Sequence, residues 1–238
     1  RVAYNDPSVS RAVEIVEGAF EGIRSEYLSA VAGMGTKTDP NSDGGVLPPL
    51  EPDYDVNSRG GEHASDALHA GSWDWHSYVL NGEVRDGFAE RCPETAAAVD
   101  ALREEGLLFE TPFSFCFFST LAGGSSIKPH VGPMNLRLRV HLPLVVPNDA
   151  GPAPGGKDRG GVTCGLRVGA QVRQWSEGQA LVLDDSYEHE VWNNAADPRA
   201  LLLLDLWHPD VGQEERVRIR NMFDYARGKG WIGKDGSK

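Results

Sequence analysis

Three features of this 238-residue chain predict a mainly β domain with flanking helices, an antiparallel barrel or jelly roll buttressed on its outside. Helical periodicity comes first in the chain and returns once at its end. Between these, from Phe113 to Trp207, run short apolar and aromatic segments set apart by Gly, Pro, Asn and Asp. One of the segments alternates strictly, with Leu136, Leu138, Val140 and Leu142 on one side and Arg137, Arg139 and His141 on the other. Runs of helix, then strands, then helix indicate sheets with helices packed on them. There is no solenoid repeat and no heptad seam.

Taken in order, Asp6-Pro7-Ser8 is a helix start, with an acid and a proline at the first turn. Val9, Val13, Val16, Phe20, Ile23, Tyr27 and Val31 then recur at helical spacing, so one amphipathic helix is expected up to Gly33. Residues 36–70 are rich in Gly, Pro, Asp and Ser, a length and composition typical of a functional lid or a partly disordered loop. Trp73 and Trp75 share a face if their segment is extended, as core packing or as a stacking wall for a ligand. Cys92-Pro93-Glu94-Thr95 opens a second helix through about Glu105, and Gly106 stops it. Expected strands follow at Phe113–Leu121, Asn135–Val146, Cys164–Trp175, Gln179–Asp184, Glu188–Asn193 and Arg199–Trp207, with a Gly/Pro/Asp-rich loop over 148–162. A last helix, about Gly212–Ala226, carries Glu214 and Glu215 early and Arg227 and Lys229 after it, matching the helix dipole.

The bulk numbers narrow the function classes. A formal charge of −12, from 35 acidic and 23 basic residues, repels phosphate and argues against non-specific binding to nucleic acid or an anionic membrane. Cys92, Cys116 and Cys164 form no CxxC pair and read as buried thiols. No apolar run approaches the ~18 residues that span a bilayer, so no membrane insertion is expected of the given chain. Because it begins at Arg1, an upstream anchor or leader stays open; a cytoplasmic location is expected, or the ER lumen if an anchor was removed. The whole chain is read as one domain: a helical and loop extension over 1–70, a core over 71–210, and a terminal helix and tail over 211–238.

Chemistry concentrates in the β region. Two guanidiniums and an imidazole in register on one strand face suggest an anion, since a solvated face is usually mixed in sign. His130, His141 and His189 fall at or near strands, and neutral imidazoles on neighbouring strands are the usual start of an Fe, Zn or Ni site. His63, His69 and His76 lie in or beside the long loop and read as solvated or structural, and His208 as a hydrogen-bonding residue. A non-haem iron site usually has two histidines and a carboxylate. The carboxylate would stand two residues after His130, where the chain has Gly132. Either the site holds no metal or it uses two protein ligands, with Asp184 and Asp185 able to act through water.

HVGPMN at 130–135, RLRVHL at 137–142, WSEGQALVLDDSYEHEVWNN at 175–194 and LLLLDLWHPD at 201–210 resemble the aspartyl/asparaginyl β-hydroxylases, as does GSWDWHSYVLNG at 71–82 followed by CPET. The resemblance covers roughly Gly71 to Asp210. It implies a double-stranded β-helix, the jelly roll of cupin-like proteins, and a dioxygenase that uses Fe(II) and 2-oxoglutarate. It also turns Gly132 into support, because this family holds iron with two histidines and no protein carboxylate. The ligands implied are His130 and His189; Trp73, Ser119, Arg139, His141 and Arg199 fall at positions that contact 2-oxoglutarate. A deep Arg199 suits the distal carboxylate through bidentate, charge-assisted hydrogen bonds. Arg137, on the face of Arg139, is the candidate for an acidic or amide substrate side chain.

The reaction implied is hydroxylation of the β-carbon of Asp or Asn, in a peptide or a related small amino-acid derivative, with release of succinate and CO2. Three alternatives compete. A cupin-like module would bind metal and anion without oxygenase activity. A halogenase would place chloride where the carboxylate is missing. A metal-dependent hydrolase or isomerase would leave Arg139, His141 and Arg199 without a stated role.

Overall fold

The computed structural model describes residues 6–33, 50–55, 68–147 and 161–232, and the expected loops at 36–70 and 148–162 fall mostly outside them, as does His63. Two antiparallel sheets face each other. The larger runs in the order β1-β3-β5-β12-β7-β10, with β4 beside β3; the smaller runs β2-β6-β11-β8-β9. The strands are β1 (Tyr54–Asp55), β2 (His69–Ala70), β3 (Trp73–Leu80), β4 (Glu83–Val84), β5 (Phe115–Leu121), β6 (Ser125–His130), β7 (Arg137–Val145), β8 (Cys164–Val168), β9 (Gln171–Gln174), β10 (Leu181–Leu183), β11 (His189–Asn193) and β12 (Arg199–Trp207). The expected jelly roll with flanking helices is therefore the architecture of the chain.

The expected first helix is two. α1 (Pro7–Gly18) starts on Asp6, whose carboxylate accepts from the Ser8 N–H at 2.8 Å, and it ends at Ala19. There the backbone leaves helical geometry (φ −93°, ψ 4°) before α2 (Phe20–Ala30) resumes. The break lets α1 pack on α4 (Pro93–Glu104) while α2 packs on both α4 and β7. A short helix, α3 (Phe88–Arg91), precedes α4, and α5 (Gln213–Gly228) closes the described chain. No described helix is long and apolar enough to cross a membrane.

Two further readings of the β region are corrected. The expected strand Cys164–Trp175 is a hairpin, because Gly169 takes a positive φ of 54° and reverses the chain between β8 and β9. Residues 125–130, not expected as a strand, form β6 between β2 and β11. Lys128 and Pro129 hid it from a pattern search; Pro129 stands near the strand's end, where a missing donor is tolerated.

Alternation assigns the faces of the large sheet. Val140, Leu142 and Leu144 of β7, with Ala200, Leu202, Leu204 and Leu206 of β12, join Ala12, Val16, Ile23, Tyr27, Val99 and Leu102 of the helices in one buried cluster. The apolar face of β7 thus looks outward to the helices. Its basic face looks inward to the second sheet, alongside Leu201, Leu203 and Asp205 of β12. Between the sheets lies a smaller cluster that includes Trp73, Leu121, Ile127, Leu166, Trp175, Leu183, Val191 and Leu201. Cys92, Cys116 and Cys164 are all buried.

Candidate active site

The pairing of β6 with β11 brings two of the predicted residues together. His130 and His189 are register partners, and their ring centroids are 4.0 Å apart. Each ring is oriented by the carbonyl two residues earlier on its own chain: His130 Nδ1 lies 2.7 Å from the Lys128 oxygen and His189 Nδ1 3.0 Å from the Tyr187 oxygen. A carbonyl only accepts, so Nδ1 carries the proton in both rings and each Nε2 keeps its lone pair. Burial, and for His189 also the neighbouring His130, lowers both imidazole pKa values, that of His189 to about 4. Both rings are neutral at physiological pH, the form that binds a metal.

No group of three or more His, Cys, Asp or Glu side chains suited to a metal exists among the described residues. Gly132 explains part of this. Its N–H donates to the Asp185 carbonyl at 2.6 Å, and a Cβ built on it would lie 2.5–2.7 Å from the Asp185 carboxylate atoms. The space a side chain at 132 would need is filled by Asp185.

Asp185 is fully buried and belongs to an ionic network on the inward face of β7. Arg137 donates to Asp185 at 2.8 Å and to Asp205 at 2.7 Å, and also to the Phe113 carbonyl. Arg139 donates to both Asp205 oxygens, at 2.9 and 3.2 Å, and lies 3.3 Å from Asp185. Asp205 also accepts from the Phe115 N–H at 3.0 Å. Burial alone would lower the Arg139 pKa, but Asp205 and Asp185 raise it overall; burial would raise that of Asp185, and the two guanidiniums hold it down. Two cations and two anions make the cluster neutral by itself. Arg137, read from the sequence as the substrate contact, is 1% exposed with its Nη groups engaged by protein acceptors, whereas the Arg139 side chain keeps 13% exposure.

Arg199 is different. It is 1% exposed, pairs with no carboxylate among the described residues, and its Nη1 has only the Ser119 carbonyl and hydroxyl at 3.4 Å each. Burial without a counter-ion lowers its pKa to about 10. Ser119, one strand away on β5, accepts from Trp73 Nε1 at 2.9 Å, so its own O–H is left to donate. His141 is buried and kept neutral by burial, then by the nearby charges of Arg199 and Arg139 and by His189. Arg199 Nε and His141 Nδ1 are buried with no hydrogen-bond partner among the described residues. An orphaned guanidinium N–H and an unpartnered imidazole nitrogen beside an uncompensated cation fit an anionic group.

Trp73, Ser119, His141 and Arg199 are therefore brought together, and Arg139 adjoins them through the ionic network. His69 and His76 are buried on strands, and His208 accepts from the Asp210 N–H at 3.2 Å, a hydrogen-bonding role. Sequence reasoning gave Asp205 and Trp175 no role. Asp205 had a signal, a lone acid inside LLLLDLW, since a buried carboxylate requires cations. Trp175 lay within a quoted motif, but its neighbours come from distant strands.

A sequence profile described as Aspartyl/Asparaginyl beta-hydroxylase matches residues 50–209. The Aspartyl/asparaginyl beta-hydroxylase of Mus musculus is 31% identical over 145 residues, 60% of this chain and 17% of that protein. The Aspartate beta-hydroxylase domain-containing protein 1 of Homo sapiens is 33% identical over 214 residues, 89% of this chain and 45% of that protein. The chain thus spans less than half the length of either relative. Among solved structures, a Pseudomonas putida prolyl-4-hydroxylase is 17% identical with a TM-score of 0.41, over 64% of this chain and 79% of that one.

Proposed function

Since the chain belongs to the aspartyl/asparaginyl β-hydroxylase family, we propose that it is an Fe(II)- and 2-oxoglutarate-dependent dioxygenase. Its substrate is an Asp or Asn residue in a peptide, or a related small amino-acid derivative, hydroxylated at the β-carbon. One observation carries this reading: a buried guanidinium, Arg199, with no counter-ion among the described residues, shares the space between the sheets with a pair of neutral histidines whose Nε2 atoms keep their lone pairs.

The residues fit both groups. His130 and His189 hold the metal through Nε2, each ring locked by its carbonyl. Arg199 and the Ser119 hydroxyl receive the distal carboxylate of 2-oxoglutarate, and Trp73 fixes that hydroxyl by donating to it. His141, neutral and short of a partner at Nδ1, and Arg139 face the rest of the cosubstrate. When bound, iron with 2-oxoglutarate supplies O2 activation coupled to oxidative decarboxylation, with succinate and CO2 as coproducts. The protein's part is to orient these groups and keep water from them. Arg137 sets the positions of Asp185 and Asp205, and a direct substrate contact would require it to release one of them.

The halogenase alternative meets an obstacle in Asp185. Its carboxylate stands against Gly132, where chloride would replace the missing ligand, and like charges repel. The test is anaerobic addition of Fe(II) and 2-oxoglutarate, expected to give a weak charge-transfer band in the visible. Succinate release with Asp- and Asn-containing peptides, abolished in His130→Ala, is expected alongside. A protein that binds 2-oxoglutarate yet releases no succinate with any such substrate would be a binding module instead.

A further inference from the structure

Trp175 follows β9 and is 4% exposed, in the cluster between the two sheets. Its ring lies 5.0 Å from the Arg199 guanidinium carbon and 6.0 Å, centroid to centroid, from His141. Its Nε1–H is buried with no hydrogen-bond partner among the described residues. An orphaned indole by itself says little, since Trp207 has one too, away from these groups and beneath Arg216 and Arg220. At Trp175 the observation is a convergence: two buried donors without partners among the described residues, Arg199 Nε and Trp175 Nε1, belong to groups in contact, and a third unpartnered ring nitrogen, His141 Nδ1, belongs to the imidazole on the same indole. A buried N–H without an acceptor is costly to a native protein, so two such donors and an unpartnered imidazole nitrogen around one cation point to a shared acceptor that the described residues do not supply.

We infer that Trp175 is a further cosubstrate-binding residue, donating its indole N–H to the anion that Arg199 receives. This rests on the 2-oxoglutarate reading above. The face of the ring has a second part in the arrangement. A carboxylate beside Arg199 would stabilise the cation but compete with the ligand; an aromatic face attracts the guanidinium and leaves its hydrogen-bonding edge to the ligand.

The experiment compares wild type with Trp175→Phe, which keeps a ring over Arg199 and removes only the N–H. The protein is loaded with Mn(II) in place of iron, and 2-oxoglutarate binding is followed by calorimetry, independently of turnover. Loss of one hydrogen bond to a charged group predicts binding weaker by roughly tenfold or more, with Mn(II) affinity and the melting temperature close to wild type. Trp175→Phe binding 2-oxoglutarate as tightly as wild type would overturn the inference. Failure of the wild type to bind 2-oxoglutarate would overturn the functional reading on which it rests. Should Trp175→Phe melt early, Trp175→His supplies the second variant. It returns a ring N–H in a smaller ring, and recovery of part of the lost affinity supports the inference, whereas affinity no better than Phe counts against it.

Discussion

Arg199 shows how one side chain can be costly to the fold and yet be what the proposed site requires. Its charge is buried beside a hydroxyl and an indole rather than an acid, and burial lowers its pKa to about 10. Arg199→Met removes a desolvated cation and fills the space with apolar atoms. We expect the ligand-free protein to melt no lower than wild type, while 2-oxoglutarate affinity falls by roughly a hundredfold as two charge-assisted hydrogen bonds are lost. Calorimetry and thermal melts measure the two sides of that exchange. Asp205 is the opposite case, a buried acid holding Arg137 and Arg139 together. Asp205→Asn keeps the shape but leaves two guanidiniums with one carboxylate, so a destabilisation of about 3–5 kcal/mol is expected in urea unfolding.

At the scale of elements, packing supplies what local sequence lacks. The N-terminus of α4 has no side-chain cap of its own, and Cys92 stands at the capping position. Glu26, buried on α2, reaches across to accept from the Glu94 N–H at 2.7 Å, the Thr95 N–H at 2.9 Å and the Thr95 hydroxyl at 2.7 Å. A carboxylate at a helix N-terminus meets both unpaired donors and the positive end of the dipole. Glu26→Ala should cost about 1–3 kcal/mol by chemical denaturation, without altering metal affinity. The turn after β6 makes a second case. Gly132→Asp restores the residue type that a three-ligand iron site would use, yet its Cβ would sit within 2.7 Å of the Asp185 carboxylate. The variant should melt lower and gain no metal affinity, as read from Mn(II) titration; tighter binding would show that Asp185 gives way.

For the molecule as a whole, buried histidines couple stability to pH. His76, His130, His141 and His189 all have lowered pKa values, with burial the main cause in each. Below about pH 6.5 the unfolded chain takes up protons that the folded, metal-free protein refuses. Their contribution to stability is therefore complete above that pH and is lost as pH falls toward about 4, the pKa of His189. Urea midpoints of the metal-free protein should drop between pH 7.5 and 5, and His76→Asn, far from the histidine pair in the sequence, should flatten the slope.

The alternation of Leu138, Val140 and Leu142 with Arg137, Arg139 and His141, the turn residues between short strands, and the motifs around His130 and His189 were legible in the chain itself. They set the fold class and the candidate metal-binding pair, because a two-residue period and a short motif are local properties. The break at Ala19, the strand status of Ser125–His130 and the hairpin at Gly169 were not, since neighbouring elements outweigh weak local preference there. Charge pairing was the least legible of all. Arg137, Arg139 and Arg199 are the same residue type on neighbouring inward faces, and sequence treats them alike. Only the meeting of β7 with β12 and with the turn before β11 gives Arg137 and Arg139 their two acids and leaves Arg199 with none among the described residues. The chain specified that a basic face would exist; long-range packing chose which buried cations are paired with acids and which is not, because compensation of a buried charge depends on neighbours in space.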